Sequence, residues 1–228
     1  MLALVGSGEY LPPMEPLDRL LIGRLPGPAR VVCLPTAAGT EGPERIGYWS
    51  HLGEDHFTRL GVPVQSLPVV DRASANDPAL ARAIAEANFV YLSGGKPAYL
   101  YQTLEGSLAW ESILAVLKSG GLLSGCSAGA MILGEAFFGF SGRSRQAGFR
   151  LLPGATVIPH YDEIPDWVVA PVRGWITQGL TLIGIEANTA LFHNDRQMEV
   201  LGAGGVTVWN KAGKNRYTQG PLPDWNDR

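Results

Sequence analysis

Short apolar runs alternate with amphipathic stretches from the N-terminus to Gly134, and this alternation limits the possible folds more than any other feature. The runs are LALVGSG, RVVCLPTAA, VQSLPVV, FVYLSGG and GLLSGCSAG. Continuous apolar runs are typical of strands buried on both faces, as in a parallel sheet. Between two of them, DPALARAIAEA has Asp77 as a helix N-cap and Pro78 at the first helical position. We therefore predict an α/β fold, a three-layer sandwich with a mostly parallel central sheet flanked by helices.

The pattern changes after Gly134. A helical stretch around DWVVAPVRGWITQG is followed by the strand-like segments TLIGIEANTALFHND and QMEVLGAGGVTVWN. We predict that these segments add antiparallel edge strands to the sheet toward the C-terminus. The 228 residues are 46% hydrophobic and 17% charged, without a linker, repeat or low-complexity segment. We therefore expect residues 1–228 to form a single domain with a sizeable core.

Charge and the N-terminal sequence argue against several classes of partner. The net charge is −3, and no run of Lys or Arg is interleaved with aromatic residues, so no nucleic-acid partner is expected. The N-terminal MLALVGSGEY has no basic region and is apolar over only a few residues. It is predicted to be a first strand and not a signal peptide. We expect a cytoplasmic monomer or homodimer with no membrane partner.

Neither a metal nor a dinucleotide cofactor is expected. Cys33 and Cys126 lie in apolar runs, where buried free thiols are expected more often than a disulfide or half of a metal site. The four histidines are scattered. Gly6 and Gly8 begin a pattern that resembles a dinucleotide fingerprint, but Leu11 occupies the position of its third glycine. A tight turn is the better interpretation of that segment.

Glycine and hydroxyl residues cluster where the predicted strands end, which is where active groups of open α/β sheets gather. One strand end contains the G-x-S-x-G pattern of a nucleophile elbow, from Gly125 to Gly129, with Ser127 at its centre. At another strand end, Gly94 and Gly95 can offer backbone amides to a developing oxyanion, and Ala128 can supply a further donor. The alternative is that these glycines only shape a strand-to-helix loop.

A serine nucleophile requires a base, and His160 is the favoured candidate. It ends the run LLPGATVIPH, which predicts a strand end at the same edge as Ser127. His51 and His56 lie in a polar helical segment that we expect to be exposed, and His193 lies in a predicted late turn. The alternative for His160 is a structural histidine with a satisfied hydrogen bond.

Four segments resemble those of peptidase family S51, which contains dipeptidase E and cyanophycinase and has a class I glutamine amidotransferase-like fold. They are LSGGKPAYLYQTL, SGCSAGAMILG, LLPGATVIPHYDE and GIEANTAL. The resemblance implies that Ser127 is the nucleophile, that His160 is the base, and that the amides of Gly95 and Ala128 form the oxyanion hole. It also implies that Arg173, in the helical segment after His160, recognises an acidic substrate side chain, and that Cys126 is a buried structural thiol. The alternative for Arg173 is an ordinary exposed arginine of that helix.

The chain departs from the family pattern at the acidic residue of the catalytic triad. The family places this acid in the loop between nucleophile and histidine, but the matching loop here, FSGRSRQAGF, contains no carboxylate. Glu135 is the first candidate for the third residue, and Asp162 and Glu163, which follow the histidine, are the second. The alternatives are a Ser/His dyad and an inactive member of the family. Glu186 and Ala187 stand where the family often has Asp-Glu.

The sequence therefore predicts a serine hydrolase that cleaves short peptides or small amides through an acyl-enzyme, with no metal or cofactor. Two alternatives remain open. One is cyanophycinase-like cleavage of β-aspartyl linkages, and the other is a non-catalytic domain of the same fold that binds a small molecule.

Overall fold

The computed structural model describes residues 1–138, 145–194 and 197–223. Strands and helices alternate along the first part of the chain. The strands are β1 (Leu2–Val5), β2 (Val31–Leu34), β3 (Val64–Ser66), β4 (Phe89–Leu92), β5 (Leu122–Cys126), β6 (Ala136–Phe138), β7 (Arg145–Ala147), β8 (Ala155–Ile158), β9 (Thr181–Ile185), β10 (Thr189–His193), β11 (Met198–Gly202), β12 (Val206–Asn210), β13 (Gly213–Tyr217) and β14 (Gly220–Leu222). The helices are α1 (Glu15–Ile22), α2 (Pro43–Arg59), α3 (Arg72–Ala75), α4 (Pro78–Ala85), α5 (Pro97–Leu104), α6 (Leu108–Lys118), α7 (Ala128–Leu133) and α8 (Asp166–Thr177). None of the helices in these ranges combines the length and apolar character needed to cross a bilayer.

The start of helix α4 shows how local sequence sets these boundaries. Asp77 caps the helix, because its carboxylate accepts the N–H of Ala79 at 2.7 Å. Pro78 occupies the first helical position, where its missing N–H costs no hydrogen bond. Both roles were predicted from the sequence and are confirmed.

The main sheet has eight strands in the order β14-β11-β10-β1-β5-β4-β2-β3. Strands β1 to β5 pair in parallel with one another, and β10, β11 and β14 pair antiparallel with their neighbours. Strand β1 joins the two parts, since Leu4 lies opposite Gly125 on one side and Leu191 on the other. The predicted mostly parallel sheet with an antiparallel edge is confirmed.

A second sheet was not predicted. It has four strands in the order β13-β12-β9-β8, in which β8 and β9 are parallel and the other pairs are antiparallel. The segment TLIGIEANTALFHND is therefore divided, with β9 in the second sheet and β10 in the main sheet. An apolar run predicts a buried strand but not the strand that it will pair with, so sequence pattern alone did not separate the two sheets.

Side chains from alternate positions of the main sheet enter two different cores, which makes the architecture three-layered. One core contains Leu4 and is covered by helices α4, α5, α6 and α7. The other contains Val5 and is covered by α1 and α2. Cys126 belongs to this second core and is fully buried. The prediction of helical layers on both faces is thus confirmed.

The sequence prediction for His56 is wrong. Its side chain is fully buried, and its Nε2 lies 2.7 Å from Oδ2 of the equally buried Asp18. Asp18 lies on helix α1 and His56 on helix α2, so one polar residue from each helix is buried between the helices and the main sheet. Because the partner lies 38 positions away, composition of the α2 segment could not reveal it. His193 is the last residue of β10 and not part of a turn.

Candidate active site

Ser127 lies between strand β5 and helix α7 on a sharply turned backbone. Its φ is 50° and its ψ is −109°, a combination that residues with a side chain rarely adopt. The Ser127 N–H donates to the carbonyl of Val5 at 3.0 Å, so the end of β1 holds the turn in place. The half-buried side chain is thereby raised above the carboxyl edge of the sheet.

The two glycines of the elbow are required by close backbone contacts. A Cβ on Gly125 would lie 2.5 Å from the backbone of Gly129. A Cβ on Gly129 would lie 2.7 Å from the carbonyl oxygen of Leu92, at the end of β4. Strand, turn and helix can therefore approach one another only because both positions lack a side chain. The spacing of the motif has a direct steric cause.

His160 follows strand β8 and faces Ser127. Its Nε2 lies 3.1 Å from Ser127 Oγ, within hydrogen-bonding distance. His160 also has a positive φ, 53°. The following turn fixes this conformation, because the carbonyl of His160 accepts the N–H groups of Glu163 at 2.9 Å and Ile164 at 3.0 Å.

The same turn brings Glu163 back to the imidazole. Its Oε2 lies 2.6 Å from His160 Nδ1. A carboxylate can only accept, so Nδ1 carries the proton and Nε2 is left to accept the hydroxyl proton of Ser127. This carboxylate is solvated, since the Glu163 side chain is 55% exposed and that of His160 is 38% exposed. Ser127, His160 and Glu163 form a continuous hydrogen-bonded chain.

The two other carboxylates considered in the sequence lie elsewhere. Glu135 accepts the N–H of Gly154 at 2.8 Å and is 3.9 Å from the guanidinium of Arg145. Asp162 accepts the N–H of Ala187 at 2.9 Å, which ties the loop after β8 to the loop after β9. The structure therefore brings Glu163, and neither Glu135 nor Asp162, to the imidazole. Residues 140–144 of the carboxylate-free loop FSGRSRQAGF lie outside the described residues.

The backbone amides near Ser127 divide into occupied and open donors. The N–H of Gly94 donates to Oε1 of Glu9 at 2.8 Å, so it is already used within the protein. The N–H groups of Gly95 and Ala128 donate to no other group among the described residues. Gly95 has a φ of 141°, and a Cβ there would lie 2.7 Å from the carbonyl oxygen of Ala37. The open amides of Gly95 and Ala128 are the pair that an oxyanion hole needs.

Cys126 precedes Ser127 but has the environment of a structural thiol. It is fully buried, and its S–H donates to Oε2 of Glu9 at 2.9 Å. Burial first, and the neighbouring Glu9 carboxylate second, raise the pKa of the Cys126 thiol well above its ordinary value. Since a thiolate is the reactive form of cysteine, this residue is unreactive at neutral pH. Both cysteines are buried and free, as predicted.

Comparison with known proteins identifies the family of the chain. The sequence profile of peptidase family S51 matches residues 2–201. The chain belongs to peptidase family S51. A peptidase of known structure from an acI-B1 Actinobacterium is 33% identical in sequence to this S51 chain. The two structures superpose with a TM-score of 0.88, and the match covers 98% of this chain and 96% of the other. The fold is shared with a peptidase E protein from Listeria monocytogenes, which is 21% identical with a TM-score of 0.66 and covers 89% of this chain and 98% of the other.

Two curated relatives of this S51 chain are cyanophycinases, from Synechococcus elongatus and Thermosynechococcus vestitus. Each is 29% identical over 181 residues, which are 73% of this chain and 54% of the relative. The chain thus spans about half the length of the curated relatives it matches. Strands β12 to β14 lie beyond the residues that the S51 profile matches.

Arg173 lies on helix α8 of this S51 chain, beside an aromatic and basic surface. Its guanidinium carbon is 4.9 Å from the centroid of the Trp209 ring. Lys214, on β13, has its ammonium nitrogen 5.1 Å from the Trp209 ring and 5.5 Å from the Tyr161 ring. Tyr161 follows His160 directly, and its N–H donates to the carbonyl of Ile185 at 3.0 Å. These cation–π contacts place positive charge next to the segment that carries His160.

Glu186, of the GIEANTAL segment, does not contact His160. Its carboxylate accepts from the guanidinium of Arg216 at 2.5 and 2.6 Å, and from the N–H of Gly205 at 2.8 Å. The hydrogen bonds from Arg216 lower the pKa of Glu186 below its ordinary value. In this S51 chain the residue connects β9 to the turn before β12, which is a structural contact.

Sequence reasoning gave no role to Glu9 or Lys214. Glu9 ends the strand-end segment GSGE, and an acidic residue in the turn that follows a buried strand was the available signal. Lys214 carried no signal, because it is one of three basic residues in the polar segment NKAGKNRY. Its place beside Tyr161 depends on the pairing of β12 with β13 and β9.

Proposed function

We propose that this S51 chain is a serine peptidase that hydrolyses short peptides or small amides through an acyl-enzyme on Ser127. The observation that carries the proposal is the hydrogen-bonded chain from Ser127 through His160 to Glu163, on a strained elbow beside two open amides. Nucleophile, base and oxyanion donors are the groups that acyl transfer requires. The non-catalytic alternative gives no reason for this arrangement.

Acylation begins when Ser127 Oγ attacks the carbonyl carbon of the scissile bond. The hydroxyl proton passes to His160 Nε2, and the carbonyl oxygen becomes an oxyanion that accepts from the amides of Gly95 and Ala128. The carbon–nitrogen bond then breaks, and Nε2 returns the proton to the leaving amine. Ser127 is left carrying the acyl group as an ester.

Deacylation repeats these steps with water as the nucleophile. His160 Nε2 takes a proton from water as its oxygen attacks the ester carbonyl, and gives the proton to Ser127 Oγ as the ester bond breaks. Glu163 acts through His160, because it keeps the proton on Nδ1 and stabilises the imidazolium that forms in each step. It is therefore a positioning residue in this scheme.

The substrate that we propose is a short peptide with an N-terminal acidic residue. Arg173 supports this choice, because a guanidinium can bind a carboxylate with two hydrogen bonds, and the Trp209 ring lies 4.9 Å from its guanidinium carbon. Cleavage of β-aspartyl linkages is the second candidate, since two relatives that match this chain over 181 residues are cyanophycinases. Both candidates share the chemistry at Ser127 and differ only in the linkage that is attacked.

The test compares the wild type with Ser127→Ala and Cys126→Ala on Asp-Xaa dipeptides, Asn-Xaa dipeptides and a β-aspartyl dipeptide. We expect Asp-Xaa hydrolysis by the wild type and by Cys126→Ala, and none by Ser127→Ala. Circular dichroism and melting curves establish that all three proteins are folded. Undiminished turnover by Ser127→Ala would remove the proposal. Turnover of the β-aspartyl dipeptide alone would favour the second candidate.

A further inference from the structure

Glu9 is a buried carboxylate that the proposed mechanism does not use. It lies in the turn after β1 and is 7% exposed. Its two oxygens have different partners, since Oε1 accepts the N–H of Gly94 at 2.8 Å and Oε2 accepts the S–H of Cys126 at 2.9 Å. These partners are 85 and 117 positions away in sequence. One side chain thus connects the ends of three parallel strands, β1, β4 and β5.

The contact with Gly94 places Glu9 directly behind the nucleophile. A Cβ on Gly94 would lie 2.6 Å from Glu9 Oε1 and 3.3 Å from the Cβ of Ser127. Gly94 is therefore enclosed between the carboxylate and the nucleophilic residue, with no room for a side chain. Any shift of this carboxylate changes the distance between the Gly94 loop and Ser127.

The loop that carries Gly95 is held on both sides of that residue. On one side, the N–H of Gly94 is bonded to Glu9. On the other, the N–H of Lys96 donates to the carbonyl of Ala37 at 3.0 Å. The Gly95 N–H, between these two anchored amides, is the one left open. A hydrogen-bond donor stabilises an oxyanion most when it is fixed before the reaction, so the two anchors determine how effective this amide is.

A buried charge needs partners, and the two donors provide them. The Cys126 thiol is unreactive, because burial and the Glu9 charge raise its pKa and keep it protonated as a hydrogen-bond donor. Cys126 thus gives the second oxygen of Glu9 a partner, whereas the first oxygen alone holds Gly94. This gives a physical reason for an unreactive thiol next to the nucleophile.

We propose that Glu9 is a positioning residue for the oxyanion hole, which it acts on by holding the Gly94 amide and thereby fixing the neighbouring N–H of Gly95. The inference rests on the proposed function, because it concerns the donors that receive the oxyanion. It predicts a loss in the chemical step when the hydrogen bond to Gly94 is lost. Substrate binding in the ground state is unaffected.

The variants separate the hydrogen bond from the charge. In Glu9→Gln the amide oxygen still accepts from Gly94, and the amide N–H₂ can donate to the Cys126 sulfur, so the shape and contacts are kept without the charge. In Glu9→Ala both contacts are lost, and in Glu9→Asp the side chain is one methylene too short to reach both partners. Cys126→Ala is the matched control, because it removes one contact of Glu9 and keeps the bond to Gly94.

The measurement is the rate at which an alkyl fluorophosphonate modifies Ser127, followed by mass spectrometry of the intact chain and its peptides. In this reaction the Ser127 Oγ–phosphorus bond forms, fluoride leaves, and the hydroxyl proton passes to His160. The reagent does not depend on knowing the peptide substrate. Steady-state kinetics on an Asp-Xaa dipeptide then divide the effect between kcat and KM.

We expect Glu9→Ala to be phosphonylated roughly 100-fold more slowly than the wild type, with KM for the dipeptide changed by less than about threefold. Glu9→Gln and Cys126→Ala are expected to retain at least about a third of the wild-type rate. If Glu9→Ala does not fold, Glu9→Asp takes its place and must lose at least about tenfold.

Two results would overturn the inference. One is a Glu9→Ala or, in its place, Glu9→Asp rate close to that of the wild type. The other is a Glu9→Gln rate as low as that of Glu9→Ala, which would make the charge and not the hydrogen bond responsible. A wild type that is not modified at Ser127 contradicts the proposed function itself, and the inference with it. A wild type that is modified while the variants fail to differ contradicts only the role of Glu9.

Discussion

His160 Nε2 lies 3.1 Å from Ser127 Oγ, and both residues have the positive φ that side chains disfavour. Each is held there by backbone hydrogen bonds of a different sheet. Ser127 N–H donates to Val5 in the main sheet, and the residue after His160 donates to Ile185 in the second sheet. The strain is local, and the packing of the two sheets maintains it. The proposed nucleophile and base therefore meet because the two sheets meet.

Strain at Ser127 predicts that the position of the proposed nucleophile trades stability for function. Ser127→Gly should be at least as stable as the wild type, and we expect a gain of about 1 kcal/mol because glycine adopts φ 50° without steric cost. Ser127→Ala, the matched control, retains the Cβ and should stay within about 0.5 kcal/mol of the wild type. Urea denaturation of the three proteins measures the difference. A glycine variant less stable than the alanine variant would show that the turn is not strained.

Removing the Glu163 carboxylate should slow catalysis without unfolding the protein. Because the side chain is largely solvated, we expect Glu163→Ala to lower kcat/KM by roughly 10- to 100-fold, or about 1.4 to 2.7 kcal/mol. Glu135→Gln and Asp162→Asn are the controls, since neither carboxylate contacts His160. Both should stay within about threefold of the wild type. A larger loss in either control than in Glu163→Ala would assign the third position to that residue.

Substitution by alanine should have opposite effects on stability at two helix glycines. Gly129→Ala places a methyl group 2.7 Å from the Leu92 carbonyl oxygen and is expected to destabilise the protein by about 1 to 3 kcal/mol. Gly174, in α8, has nothing within 4 Å of the corresponding position. Gly174→Ala is therefore expected to stabilise by about 0.5 to 1 kcal/mol through helix propensity alone. Thermal unfolding of both variants tests the pair, and equal effects would contradict the close contact at the elbow.

The buried thiols predict a loss of stability at alkaline pH. Burial raises the pKa of Cys33 from 9.0 to about 12, and raises that of Cys126 as well. Above pH 9.0 the unfolded chain releases these protons while the folded chain keeps them. The contribution of the thiols to the free energy of unfolding is therefore fully present below pH 9.0 and is lost as the pH rises toward about 12. Urea midpoints across this range measure the decline, and Cys33→Ala should reduce its slope. A midpoint that does not change would contradict the prediction.

The folded protein should also resist thiol reagents. Iodoacetamide at about pH 8 is expected to leave both cysteines unmodified until the chain unfolds, because neither is exposed or ionised. Peptide mass spectrometry before and after addition of denaturant gives the result. Rapid labelling of Cys126 in the folded protein would place a reactive thiol at the elbow.

Arg173 provides a test of substrate preference. Arg173→Met should raise KM for Asp-Xaa dipeptides by roughly tenfold and leave Asn-Xaa dipeptides nearly unchanged, because only the acidic substrate pairs with a guanidinium. Lys214→Met is the matched control, since Lys214 lies against the same Trp209 ring. A wild type with equal rates on the two dipeptides would remove the assignment. A loss confined to Lys214→Met would move the recognition role to β13.

Sequence reasoning was most successful where the signal is local. The apolar runs predicted β1 to β5, and Asp77 with Pro78 predicted the start of α4, because burial and capping depend on residues close in the chain. The sequence also indicates Ser127 and His160 as candidate nucleophile and base. It was wrong about His56, whose partner Asp18 comes from another helix. It ranked Glu135 above Glu163, because sequence position does not reveal which carboxylate a turn will bring to an imidazole.

The sequence by itself determined the α/β alternation, the elbow and its two glycines, since side-chain burial and close backbone approach leave residue patterns that can be read directly. Only the tertiary structure decided which groups complete the site. The positive φ of His160 turns the chain so that Glu163 reaches Nδ1 within three residues. Glu9 reaches Gly94 and Cys126 because parallel strands β1, β5 and β4 are neighbours and end at the same edge. Contacts of this kind depend on strand order and backbone direction, which no local pattern encodes.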